Sequence, residues 1–133
     1  MVDVDITLDH QQEGGVQLLT KDTYLEVNRI EMNWTESESF CVSKGGHLAS
    51  VASPAHWQKL QHFLAENDLS STDMWLGGTD WGNQGDWAWT DGSKWSEEHW
   101  GLNYPKNRGG GENCLQMWKN VTMEWRDVGC DWL

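Results

Sequence analysis

The chain has 133 residues, enough for one domain with a core of its own, and carries a net charge of −12. That charge argues against nucleic acid and anionic membrane surfaces as partners, since both call for basic patches. No stretch approaches the roughly 18 consecutive apolar residues of a membrane span.

Val2, Val4, Ile6 and Leu8 alternate with Asp and Thr, the pattern of a strand with one buried face. This acidic opening lacks the basic start and apolar block of a signal peptide. Either a leader has been removed or the chain is a piece of something longer. Gln11 to Gly15 reads as a turn or linker, and Tyr24–Val27 as a second strand.

Thr35 and Glu38 have the spacing of a capping box and predict a helix from about Glu36 to Lys44. It should stop at Gly45-Gly46, with Phe40 and Cys41 facing inward. His47 to Val51 reads as a short extended piece. A second helix starts with Ser53 as N-cap and Pro54 at its first position, and ends at Asn67-Asp68. Trp57, Leu60 and Leu64, with Phe63 beside them, give it one apolar face. His56 and His62 do not share a face and read as exposed residues rather than ligands.

From Trp75 to Cys130, short apolar pieces alternate with Gly- and Asn-rich turns, as in short strands carrying long loops. Two helices followed by such strands give an α+β class. Leu, Ile and Val are sparse, so much of the packing falls to the eleven Trp. Trp81 and Trp100 lie nearer loop segments and are the likelier of the Trp residues to be exposed. No nucleophile elbow, zinc-protease or dinucleotide fingerprint is present. Gly109-Gly110-Gly111 lacks the Lys and Ser/Thr of a phosphate loop. The chain therefore reads as a binding protein and not an enzyme. Asn33-Trp34-Thr35 and Asn120-Val121-Thr122 are sequons, so Asn33 and Asn120 can carry glycans if the chain passes through a secretory route.

N-W-T-E-S-E-S-F-C (33–41), G-G-H-L-A-S-V (45–51), W-L-G-G-T-D (75–80), W-A-W-T-D-G (87–92), G-E-N-C-L-Q-M (111–117) and W-R-D-V-G-C (125–130) follow one another in the order of a known family. Together they resemble a C-type lectin-like domain, over about residues 22–130. The resemblance implies an α+β fold in which two helices flank two small antiparallel sheets and a long loop forms the binding face. It divides the chain into an N-terminal extension, 1–21, and the domain proper, 22–133, short at its C-terminus. It also implies a secreted or extracellular setting.

By the same resemblance Cys114 and Cys130 form a disulfide worth about 3 kcal/mol on a chain-entropy basis. Cys41 stands where the family has a helix cysteine whose partner lies in a last strand that this sequence lacks. That leaves Cys41 outside any intrachain disulfide. The missing strand would also leave a sheet edge open to a second copy or a partner chain, and residues 2–8 are expected to cover it.

Sugar-binding members hold calcium in the long loop. Their ligands flank a loop proline, precede a strand cysteine by two residues, and form an Asn-Asp pair after a Trp. In this chain those positions read Tyr104 and Lys106 around Pro105, then Glu112, then Arg126 and Asp127. Lys and Arg donate only and repel the ion. A second calcium position keeps Asp80 but has the amides Gln84, Asn107 and Asn113, which leaves room for weak calcium at most. The expectation is that Lys106 and Arg126 replace the ion between Glu112 and Asp127. The ligand, protein or glycan, would then be met without a cofactor by Asn103, Tyr104, Lys106, Asn107, Arg108, Glu112, Arg126 and Asp127. The competing reading is a calcium-dependent carbohydrate lectin that uses Glu112, Asp127, Asp80 and Asn107.

Overall fold

A computed structural model describes residues 2–8, 16–18, 23–28, 30–68, 73–106, 111–118 and 123–131. Its elements in order are β1 (Val2–Leu8), β2 (Val16–Leu18), β3 (Thr23–Asn28), α1 (Trp34–Ser43), β4 (His47–Leu48), α2 (Pro54–Glu66), β5 (Met74–Thr79), β6 (Ala88–Trp89), β7 (Cys114–Met117) and β8 (Trp125–Val128). This is the expected α+β composition. The turn expected at Gln11–Gly15 lies outside the described residues, and β2 was not foreseen.

The strands join into one eight-stranded sheet with the central order β2-β3-β1-β5-β7-β8, where β4 pairs with β1 and β6 with β5. β1 is what unites them, so the two separate small sheets expected are a single sheet here. It runs antiparallel to β3 from Asp3↔Asn28 to Leu8↔Thr23. On its other side it meets β4 through Asp5↔Leu48 and Ile6↔His47, and runs parallel to β5 through Val2↔Met74 and Asp3↔Trp75.

Both faces of β5 are covered. β5 alternates between them: Met74 and Leu76 join the larger core cluster with Trp57, Leu60, Phe63 and Leu64 of α2. Trp75 points to the other face, into a smaller cluster with Trp34 and Cys41 of α1, Leu48, Cys114 and Val128. A strand buried on both faces carries few polar side chains, and M-W-L-G-G-T has only Thr79, half-buried at its end. Its two glycines answer close approaches. A Cβ on Gly77 would meet the Leu48 carbonyl oxygen at 2.7 Å, and one on Gly78 would meet Leu115 Cδ2 at 2.8 Å.

α2 begins and ends as expected, at Ser53 and Asn67. α1 begins earlier than expected. Its N-cap is Asn33, whose Oδ1 accepts from Glu36 N at 2.8 Å, while Asn33 N donates back to Glu36 Oε1 at 3.1 Å. Thr35 and Glu38 are not the capping pair, because Glu38 is used elsewhere. Its Oε2 meets His47 Nδ1 at 2.7 Å, and its Oε1 accepts from Leu48 N at 3.0 Å and Thr90 Oγ1 at 3.2 Å. Phe40 is half-buried with the Lys44 ammonium 5.3 Å from its ring centre, and the inward residues are Trp34, Ser37 and Cys41.

The strand-and-loop half packs around Trp125. Its ring lies edge-on to Trp89 at 5.6 Å, Trp57 at 5.8 Å and Trp100 at 5.9 Å. Of the two Trp residues nearest loop segments, Trp100 is packed against this core and Trp81 is 58% exposed.

Candidate functional site

The long loop is fastened to β8 at two places. Segment 99–101 runs beside Trp125, which donates its N–H to the His99 carbonyl and accepts from Gly101 N, both at 2.8 Å. A tight turn follows, closed by Tyr104 N donating to the Gly101 carbonyl at 3.0 Å. Asn103 occupies the left-handed region in it, at φ 68°, which Asn tolerates better than most residues. Leu102 stands at the tip, 86% exposed. The Tyr104–Pro105 peptide is cis. Lys106 N then donates to Asp127 Oδ1 at 2.8 Å. The described part of the loop is thus anchored at Trp125 and again at Asp127, two residues on one face of one strand.

Asp127 is buried at 1% exposure opposite Leu115, on the sheet face that also carries Trp125. Arg126 pairs with Gln116 on the opposite face. Its guanidinium lies 4.9 Å from the Trp118 ring centre, its Nε donates to Gln116 Oε1, and one terminal nitrogen is 3.9 Å from Asp73 Oδ2. Lys106 sends its ammonium over the Tyr104 ring, 4.6 Å from the centre. The expectation of two cations standing between Glu112 and Asp127 therefore takes another form. It is the backbone of Lys106 that satisfies Asp127, and strand alternation turns Arg126 to the far side. Sequence reasoning assigned the Lys106 contact to its charge because charges are visible in a sequence and main-chain amides are not.

Asn103, Tyr104 and Lys106 share the loop surface with Leu102, which the sequence reading passed over. Its signal was a lone Leu between Gly101 and Asn103 in an otherwise polar turn. Asn107 and Arg108 lie outside the described residues, as does Asn120. Glu112 is half-buried just ahead of β7. Cys114 and Cys130 form the disulfide, and Cys41 is a buried thiol outside it.

The family implies a calcium ion at the loop, and the residues present do not fit one. Tyr104 and Lys106 bring no carboxylate or amide side-chain oxygen, Arg126 brings a cation, and Asp127 Oδ1 already accepts an N–H. Among the described residues, no group of three or more His, Cys, Asp or Glu side chains is placed to hold a metal ion. Asp80 differs. It is 2% exposed, its Oδ2 accepts from Gly85 N at 2.8 Å, and its buried Oδ1 has no hydrogen-bond partner among the described residues.

The family described as Lectin C-type domain matches residues 30–133. A mouse protein, C-type lectin domain family 4 member F, is 40% identical over 111 residues, covering 77% of this chain but only 19% of that protein. Echinoidin of Heliocidaris crassispina is 33% identical over 113 residues, covering 76% of this chain and 77% of echinoidin. Among solved structures, a calcium-independent type II antifreeze protein superposes with a TM-score of 0.74 at 30% identity, over 92% of this chain and 88% of that one.

Proposed function

The chain belongs to the C-type lectin domain family, and from that premise we propose that it is a non-catalytic recognition domain whose long loop takes a protein or glycan ligand without calcium. One observation carries the reading: Asp127, the carboxylate retained at the family's calcium position, is buried and spends Oδ1 on the Lys106 main-chain N–H. Positioning that calcium supplies elsewhere in the family is supplied here by a hydrogen bond. A related structure at 30% identity bears the description calcium-independent, which agrees with the scaffold holding its shape unaided. Leu102, Tyr104 and the Lys106 ammonium then form a contact surface of apolar, aromatic and cationic character. Such mixed tips anchor binding hot spots, Tyr among them. The proposal places the domain in a secreted or extracellular setting, where the Cys114–Cys130 bridge persists.

A glycan array run with calcium and again with a chelator tests this. Binding that is unchanged in chelator and lost in Tyr104→Ala supports the reading. Binding lost in chelator, with calcium-titration heat abolished by Asp127→Ala, overturns it. The orphaned Asp80 Oδ1 favours a second reading, a weak calcium at that carboxylate. It predicts a rise in Tm with millimolar calcium that disappears in Asp80→Asn.

A further inference from the structure

We propose that β1 is an exchangeable strand, and that two copies of this chain trade it, each seating Val2–Leu8 of the other between its own β3 and β5. The reason lies in how the strand is connected. β1 and β2 both run antiparallel to β3, one on each side of it, and so are parallel to each other. Glu26 faces Asp5 on one side and Val16 on the other, and Tyr24 faces Thr7 and Leu18. The chain leaves β1 at Leu8, level with Thr23, and enters β2 at Val16, level with Glu26. It therefore has to cross two strand spacings, roughly 10 Å, and come back three residues, roughly another 10 Å, with β3 in between. Seven residues, 9–15, separate the two strands. A crossover between parallel strands takes about a dozen residues or more.

Exchange removes that constraint and keeps every pairing. β1 has six partners in β3, two in β4 and two in β5. All of them re-form when the strand comes from a second copy, while the connection runs from one body to the other. Short connecting segments invite exchange for this reason. The seat cannot stand empty either, because β1 lies between β3 and β5 and its departure bares an edge on each. A second copy is the occupant because its Val2–Leu8, apolar at alternate positions, is the segment whose register with this seat is known.

Two opposing terms set how far exchange proceeds. Joining two bodies costs translational and rotational freedom, and each copy carries a charge of −12 that repels the other. Protein concentration offsets the first and salt screens the second, so the exchanged pair should grow with both. The pair carries two long-loop faces in one particle and would hold a repeated ligand by avidity. Exchange itself does not depend on what the loop binds.

Two full-length chains test this, one with Asp5→Cys and one, tagged to differ in mass, with Glu26→Cys. The two positions face each other across β1 and β3, at a Cα spacing of about 5 Å that a disulfide spans. The chains are unfolded together without reductant, refolded at rising concentration and oxidised with glutathione disulfide. A heterodimer linked at the two introduced thiols, mapped by mass spectrometry, is expected to increase with concentration and with salt. It should exceed by several-fold the link formed when Leu102→Cys, at an exposed position, replaces Glu26→Cys. Inserting a Gly-Ser stretch between Gln12 and Glu13, to bring the connection to about a dozen residues, should cut the yield several-fold. A heterodimer no more abundant than with Leu102→Cys overturns the proposal, and so does a yield unchanged by the insertion. If Asp5→Cys does not fold, the unsubstituted chain serves, refolded as a mixture of differently isotope-labelled copies. An NOE between Thr7 of one copy and Tyr24 of the other supports exchange, and its absence at the highest concentration overturns it.

Discussion

The main-chain N–H of Lys106 donates to the buried Oδ1 of Asp127 at 2.8 Å, so the loop that carries the contact surface is fastened to β8 by a backbone group. Asp127→Ala deletes the acceptor and leaves that N–H without its partner, a loss of about 1–3 kcal/mol. Asp127→Asn keeps a carbonyl oxygen in place and should cost less. Urea unfolding measures both. Trypsin provides a second readout, because cleavage after Lys106 should speed up in Asp127→Ala and stay near the parent rate in Asp127→Asn.

Glu38 ties α1 to β4 and to the loop-rich half in one step, through His47, the Leu48 amide and the Thr90 hydroxyl. The side chain is only 17% exposed, so removing it strands donors that water reaches poorly. Glu38→Ala should lose about 2 kcal/mol or more in denaturant unfolding. His47→Ala should lose less, since the imidazole is 41% exposed and solvent replaces part of its contact.

The two helices, the Gly45-Gly46 stop of the first and the Ser53-Pro54 start of the second, and the disulfide partners were legible because each depends on residues close in sequence or on the family's motif order. The site was legible as positions but not as contacts. Thr35 and Glu38 have capping-box spacing, yet Asn33 and Glu36 make the box, and the choice turns on Glu38 meeting Thr90 across the fold. Arg126 and Asp127 are neighbours in sequence, but strand alternation sends one to Trp118 and buries the other. Trp100 looked like a loop residue until its bridge to Trp125 placed it beside the core. In each case a partner distant in the chain decided the outcome.

The thiols separate by environment. Cys41 is fully buried and takes no part in the Cys114–Cys130 bridge, whose ends are 16 residues apart. Iodoacetamide should label no cysteine in the native chain, one after unfolding without reductant, and three after unfolding with it. Replacing both bridged cysteines by Ala should cost about 3 kcal/mol in guanidinium unfolding on the chain-entropy argument.

Burial holds the His56 imidazole below its ordinary value of 6.5, helped by nearby Lys59 and opposed by Asp91. Its Nδ1 is buried with no hydrogen-bond partner among the described residues. As pH drops through 6.5 the unfolded chain takes up a proton that the folded chain resists, so stability falls, and the loss levels off below the folded pKa. His56→Gln cannot titrate. Its Tm should fall less than the parent's between about pH 7.5 and pH 5.5, measured by calorimetry at constant ionic strength.

β1 has neighbours on both sides, and Asp5 shows why this matters. It pairs with Glu26 of β3 on one side and Leu48 of β4 on the other. Whichever side its N–H faces, a proline there removes a donor from a strand interior, where proline is not accommodated. β1 is also what connects β2 and β3 to β5, β7 and β8. Asp5→Pro should therefore lower amide-exchange protection at Leu25 and at Met74 together, although the two lie on opposite sides of β1. Deleting residues 1–8 should go further, baring β3, β4 and β5 to edge-to-edge pairing and producing oligomers in size-exclusion chromatography. Unchanged protection at both amides in Asp5→Pro would mean that the sheet does not depend on its central strand.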